Sequence, residues 1–203
     1  MALLEYISML AVQWIIVFLL NIVPALAPPT WAVLSFFYIT NPQSIIILVL
    51  IGVTASTCGR FVLAKLSGVA SEKFADKKKK ESFLAIKRQL EGKTWQKFVF
   101  TLIYALSPLP SNALFIAFGA TKTKLREVLA GFFIGRTISY LFLVFTTKQV
   151  FASFEATLAG NSSLWTIMIE LIGVVAVLAF FFIDWNKFIC LEMPSMPKQS
   201  KKK

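Results

Sequence analysis

Two long apolar stretches of this chain are each broken near the middle by prolines, Pro24, Pro28 and Pro29 in the first and Pro108 and Pro110 in the second. Proline removes a backbone donor and its ring collides with the preceding turn, so neither stretch runs as one straight helix. In lipid the consequence is severe, because no water is present to bond the freed N–H and C=O groups. A break at membrane depth survives only where it is buried in protein or lines a wet cavity. Interrupted apolar segments in corresponding positions of two halves point to a transport site near the bilayer midplane.

Composition supplies the membrane setting. Of 203 residues, 57% are hydrophobic and 20 are Phe, and the mean hydropathy is +0.73. A span needs roughly 20 apolar residues, so the chain accommodates about four spanning helices and two half-depth hairpins in a single domain. The net charge of +11 comes from clustered basic residues, which reads as topology and lipid contact rather than nucleic-acid binding. There is no His, which removes the commonest metal ligand and general base. With no Cys/His cluster and no paired intramembrane carboxylates either, neither an enzyme nor a cofactor is expected. Cys58 and Cys190 sit in different segments, so a disulfide is not expected; Cys190 is an ordinary free thiol or a palmitoylation site. The apolar stretch before Ala25, Leu26 and Ala27 mimics a signal peptide. It lacks a basic residue in front and carries Glu5 where positive charge belongs, so it is read as a helix that stays.

The segments follow in order. Residues 3–21 form a first helix, and residues 24–39 are too short and too broken to span, which predicts a re-entrant hairpin. Asn41 and Pro42 open a new helix, with the spanning part over residues 44–66. Residues 67–97 carry nine Lys or Arg and four acids and read as a basic cytoplasmic connector. Residues 98–120 have the length of a span, yet Ser107, Pro108, Pro110, Ser111 and Asn112 interrupt the centre, which predicts a second hairpin. Helices over 125–147 and 164–185 and a basic tail over 186–203 complete the chain.

Charge tests this layout. Basic residues near helix ends belong on the cytoplasmic side, which puts the 67–97 connector, the Lys122, Lys124 and Arg126 cluster and the tail on one face. That is consistent only if residues 98–120 enter and leave from the same face. The N- and C-termini are then cytoplasmic and residues 148–163 form an outer loop, where Asn161, Ser162 and Ser163 make a weak glycosylation-type triplet. The fold class expected is therefore an all-α polytopic membrane protein, an inverted repeat with two facing re-entrant hairpins and about four transmembrane helices. A Gly-Arg pair echoes the repeat, Gly59-Arg60 after the first break and Gly135-Arg136 after the second.

Arg60 and Arg136 are the leading candidates for substrate binding. A guanidinium inside a span costs about 2.5–3.5 kcal/mol on insertion scales, so it normally faces a cavity or a partner. Its fork matches phosphate oxygens. For Arg60 an alternative stays open, since on these boundaries it lies less than two turns from the cytoplasmic end and can snorkel. In the hairpins, Thr30, Ser107, Ser111 and Asn112, beside Pro28, Pro29, Pro108 and Pro110, either help bind an anion at the exposed helix ends or satisfy the freed backbone groups. Gly131 and Gly135 fit a G-x-x-x-G pattern, and close helix packing explains them. Glu170 either pairs with an arginine or sits at the outer interface.

Phe100 through Asn112, then Ala117 through Ala120 and then the Gly131 to Arg136 stretch, resemble the second hairpin and following helix of the DedA/VTT membrane proteins. The Gly52 to Gly68 stretch is similar to that family's helix after the first hairpin, and the likeness covers roughly residues 20–147. The resemblance implies facing hairpins, an inverted repeat and movement of lipids or lipid-linked phosphates between leaflets. The chain departs from bacterial DedA members in two places. No acidic residue lies in residues 24–39, and Tyr104 to Ser107 stand where an arginine is expected before Pro108, which favours passive scrambling or a divergent substrate over proton-driven transport. The function expected is thus a transporter or scramblase of an anionic phospholipid or polyprenyl phosphate in the plasma membrane, with membrane lipids as partners. A homo-oligomer is compatible with it. A small-molecule exporter on the same scaffold, or an assembly factor acting through the basic connector, are the alternatives.

Overall fold

The computed structural model describes residues 2–24, 28–74, 94–107 and 111–158, with residues 165, 168, 172, 173 and 175. The described residues form six helices: α1 (Ala2–Ile22), α2 (Thr30–Thr40), α3 (Ile45–Phe74), α4 (Thr94–Leu106), α5 (Asn112–Ala120) and α6 (Arg126–Leu158). Three of them, α1, α3 and α6, are long and apolar enough to cross a membrane. The expected fourth span, 164–185, and the basic tail fall largely outside the described residues, as do Pro108, Pro110, Lys77 to Lys80, the glycosylation triplet, Glu170 and Cys190.

The helix ends follow local chemistry. After Ile22 the chain leaves helical geometry before the prolines, and α2 begins once Pro29, extended at φ −57° and ψ 129°, offers its carbonyl to the amides of Ala32 and Val33. Pro42 does not sit in the first turn of α3 as expected. The helix starts at Ile45, with the Ser44 carbonyl accepting the amide of Leu48, and Pro42 belongs to the link before it. At the second break, Ser111 precedes α5 and its carbonyl accepts the amide of Phe115.

Both long helices outrun their expected ends. α3 continues through residues 67–74, which were expected to belong to the connector, and α6 continues through 148–158, expected as outer loop. Neither extension contains proline, and polarity by itself does not end a helix; it only ends the part that suits lipid. The connector likewise begins its return early, since α4 is helical from Thr94.

Packing interleaves the two halves of the chain. α1 lies on α3 and α4 lies on α6, within their own halves, whereas α2 packs chiefly on α6 and α5 on α3. α3 and α6 also touch each other. One apolar cluster joins Val17, Leu34 and the first part of α3 (Leu48, Val49, Val53) to Tyr140 and Val144 late in α6. The other joins Leu63 and Ala64, later in α3, to Ala105, Leu114, Phe115 and Phe118, and to Val128 and Phe132 early in α6. The two long helices therefore pass each other in opposite directions. Between apolar helices lipid competes as well as protein does, so contact depends on close backbone approach and on hydrogen bonds. Glycines provide the approach: a Cβ on Gly59 would lie 2.7 Å from the Phe18 carbonyl oxygen, and one on Gly135 would lie 2.7 Å from that of Leu102. Gly131 meets the Phe98 carbonyl in the same way, so the G-x-x-x-G of α6 is a packing face for α4.

Candidate functional site

The seam between the two apolar clusters is where the paired arginines fall. On α3, Arg60 lies between Ala55 of one cluster and Leu63 of the other; on α6, Arg136 lies between Phe132 and Tyr140. Both are buried, 7% and 8% exposed, and each guanidinium feels the other's charge. Residues far apart in sequence thus bring two cations within electrostatic reach of each other.

Each arginine is held differently. Arg60 Nη1 donates to the carbonyl of Asn21 at 3.2 Å. That carbonyl is among the last four of α1, which have no partner within their own helix, and a cation there is also favoured by the helix dipole. The arginine thus caps the helix that the first proline break ends. Its Nε is buried with no partner among the described residues, leaving a charged donor still to be met. Arg136 is sandwiched by aromatics, its Cζ 5.5 Å from the Phe132 ring centre and 5.7 Å from that of Tyr140. These rings stand four residues to either side on the same helix face, and such stacking offsets part of the desolvation cost of the guanidinium. Tyr104, at the end of α4, also lies within electrostatic reach of Arg136.

Arg60 is held by the Asn21 carbonyl in this structure. The apolar part of α3 runs to Ser71, eleven residues beyond it, which is about 16 Å of helix. Arg136 stands ten residues inside the start of α6, about 15 Å. Arg136 is thus well inside its span, whereas Arg60 stands five residues before Lys65, about 7.5 Å of helix.

The polar residues of the two breaks are spent on backbone and on each other. Thr30 Oγ1 does not cap α2; it pairs with Asn21, accepting from Nδ2 at 3.1 Å, while Nδ2 also donates to the Val17 carbonyl at 2.8 Å. Ser107 Oγ donates to the Tyr104 carbonyl at 2.7 Å. Asn112 Nδ2 donates to the Pro24 carbonyl at 2.9 Å, tying the second break to the first. Ser111 is buried and makes no side-chain cap of α5. Pro28 and Pro29 are exposed at the start of α2. Of the candidates described, then, Arg60 and Arg136 come within electrostatic reach of each other, Asn112 reaches the first break, Thr30 pairs with the Asn21 side chain across that break, and Ser107 bonds the local backbone.

Sequence reasoning missed Asn21 and Tyr140. Asn21 is 1% exposed and binds Thr30 across the break, and a buried Asn three residues before a proline was the available signal. Tyr140 was readable from its four-residue offset from Arg136.

A family model for the VTT domain matches residues 23–149, both proline breaks and both Gly-Arg pairs included. The chain belongs to the VTT-domain family. With three helices long and apolar enough to span, this VTT protein is a membrane protein, and the likeness to the DedA/VTT proteins read from its residues stands. No curated protein and no solved structure matches it. The matched stretch opens just after Ile22 and closes inside α6, so the VTT domain comprises both arginines and both breaks but leaves all of α1 outside.

Proposed function

We propose that this VTT protein moves an anionic lipid or lipid-linked phosphate between leaflets, with Arg60 and Arg136 holding the phosphate. The observation that carries the reading is the placement of two buried arginines, one from each half of the chain, within electrostatic reach of each other on two crossing membrane helices. An intramembrane cation is kept there against a cost of about 2.5–3.5 kcal/mol on insertion scales. Two of them repel each other as well, so the pair is best explained by an anion that visits both. Their planar donor sets suit phosphate oxygens.

An inverted repeat with two re-entrant segments accounts for the rest of the architecture. Exchanging α1, α2 and α3 with α4, α5 and α6 converts the α1–α3 contact into α4–α6, and α5–α3 into α2–α6, and leaves α3–α6 unchanged. The smaller α1–α2 and α2–α3 contacts have no partner of equal extent. The glycine contacts obey the same exchange: Phe18 lies six residues before Pro24, and Leu102 six before Pro108. Binding between the halves and movement of one against the other is the general behaviour of such repeats. The arginines are closed off in the conformation described, so transport requires the seam to open.

With the basic clusters and the C-terminal tail inward, α1, which runs beside α3 in the same direction (Gln13 bonds Gln43, and Asn21 meets Arg60), starts on the outer face, opposite the 67–97 connector. This replaces the expected cytoplasmic N-terminus, and the plasma membrane is proposed as the setting. As a carrier the protein makes and breaks no covalent bond. The test is reconstitution into vesicles holding a fluorescent phospholipid, followed by dithionite. Transport makes the quenched fraction rise above the half expected for one leaflet, and a fraction equal to that of protein-free vesicles would remove the proposal.

A further inference from the structure

A second basic site lies away from the arginine pair. The later part of α3 and the turn joining α5 to α6 enclose a pocket of about 680 Å³. Lys65, Lys122, Lys124 and Arg126 line it, and none of its described lining residues is acidic. Lys65, Lys124 and Arg126 are exposed, so their charge is open to a ligand. Four like charges around one cavity raise each other's energy, and a multiply oxygenated anion relieves that.

The backbone of the turn adds a second, independent observation. Lys122 has φ 51°, the left-handed region in which a side chain is unfavourable and glycine is the usual occupant after a helix. The geometry is enforced by bonds from the Lys122 amide to the Gly119 carbonyl at 3.0 Å and from the Thr123 amide to that of Phe118 at 3.3 Å. It is buttressed by the Thr121 and Thr123 hydroxyls, 2.7 Å apart. A charged side chain retained at a glycine position is the kind of strain that marks a ligand site. Arg126 is a further local violation, a cation at the first turn of α6, where the helix dipole favours an anion. Both violations point into one pocket.

Its walls indicate which anion. Phe61, Val69 and Leu129 line it alongside the cations, and Lys65 Nζ stands 5.5 Å from the centre of the Phe61 ring. The pocket joins the C-terminal part of one apolar helix to the N-terminal turn of another, so it lies at one membrane boundary, the depth of lipid head groups. We propose that this pocket holds the phosphate head group of an anionic phospholipid, with the acyl chains along Phe61 and Val69, as a site distinct from the arginine seam and independent of the transport reading.

The test titrates the detergent-solubilised full-length chain with dioleoylphosphatidylglycerol, counting bound lipid by native mass spectrometry, with dioleoylphosphatidylcholine as control and inorganic phosphate as competitor. The wild type should retain phosphatidylglycerol over phosphatidylcholine, and Lys65→Gln/Lys124→Gln/Arg126→Gln should weaken that retention on the order of 100-fold, from about tenfold or less per removed cation. The charge-conserving Lys65→Arg/Lys124→Arg variant should keep it, which separates loss of charge from loss of fold. In an Arg136→Gln background, which silences the arginine seam, the triple Gln substitution should weaken retention by the same factor, which separates the two sites. Equal retention of the two lipids, an unaffected triple Gln variant, or no effect of the triple Gln substitution in the Arg136→Gln background would each overturn the proposal. Displacement of the lipid by millimolar inorganic phosphate would assign the pocket to free phosphate and overturn the lipid assignment.

Discussion

Gly135→Ala and its counterpart Gly59→Ala test the close packing that brings the arginines together. A Cβ at residue 135 would stand 2.7 Å from the Leu102 carbonyl oxygen and 2.8 Å from Ala105 Cβ; at residue 59 it would stand 2.7 Å from both the Phe18 carbonyl oxygen and Asn21 Cβ. Comfortable contacts of these kinds lie at about 3.5–4.0 Å, so each neighbour must retreat by about 0.8–1.3 Å. The obstructing atoms are main-chain oxygens or methyl groups fixed to the backbone, which no rotamer change removes. The neighbouring helix has to move, at about 1–3 kcal/mol. Gly173 is the control, because a Cβ there meets only the Cγ2 of Val150 at 3.0 Å and of Thr146 at 3.8 Å, both ends of side chains. Thermal unfolding in detergent, followed by size-exclusion chromatography of the heated samples, ranks the three. Gly59→Ala and Gly135→Ala should both melt well below wild type, and Gly173→Ala within about 0.5 kcal/mol of it. If Gly135→Ala were as stable as Gly173→Ala, the inferred approach of α4 to α6 would be wrong.

Three further outcomes follow from the hydrogen bonds. Asn112→Ala removes the bond to the Pro24 carbonyl that ties the two breaks and should lower stability by about 0.5–1.5 kcal/mol, read from the same melting assay. Asn21→Ala and Thr30→Val should each cost about 1–3 kcal/mol by stranding a buried polar partner, and the double variant should cost less than their sum, since both remove one interaction; strict additivity would disprove the coupling. Arg60→Ala should be more destabilising than Arg60→Lys in the melting assay, because lysine keeps a donor for the Asn21 carbonyl.

Much of the fold is legible in the sequence because proline and glycine act locally. Pro24 through Pro29 and Pro108 through Pro110 announce the breaks, and Gly131 and Gly135 announce a packing face. Arg136 reads as buried because its neighbours are apolar for turns on both sides. Arg60 reads ambiguously because hydropathy falls at Ser67, which in sequence resembles the end of a helix. α3 continues to Phe74, since leaving lipid costs a helix nothing while its backbone bonds persist. Pro42 misleads for a related reason: it is permitted in a first turn but does not require one. The anchoring of Arg60 is invisible in sequence, because its acceptor is a main-chain carbonyl and carries no side-chain signature. Nor does the pattern of residues reveal that α2 packs on α6 and α5 on α3; that exchange depends on how four helix faces fit, which no single segment encodes. The basic residues of the α5–α6 turn, read for topology alone, gave no sign that they converge with Lys65 on one cavity.

The central claim is that the two arginines hold the transported anion together. The most direct measurement compares the dithionite-accessible fraction in proteoliposomes for wild type, Arg60→Lys, Arg136→Gln and Arg60→Lys/Arg136→Gln, at equal reconstituted protein. Arg136→Gln, which keeps two donors but no charge, is predicted to bring the rate down to that of protein-free vesicles, with the double variant no slower than the single. Rates in Arg136→Gln and in the double variant equal to wild type would contradict the account.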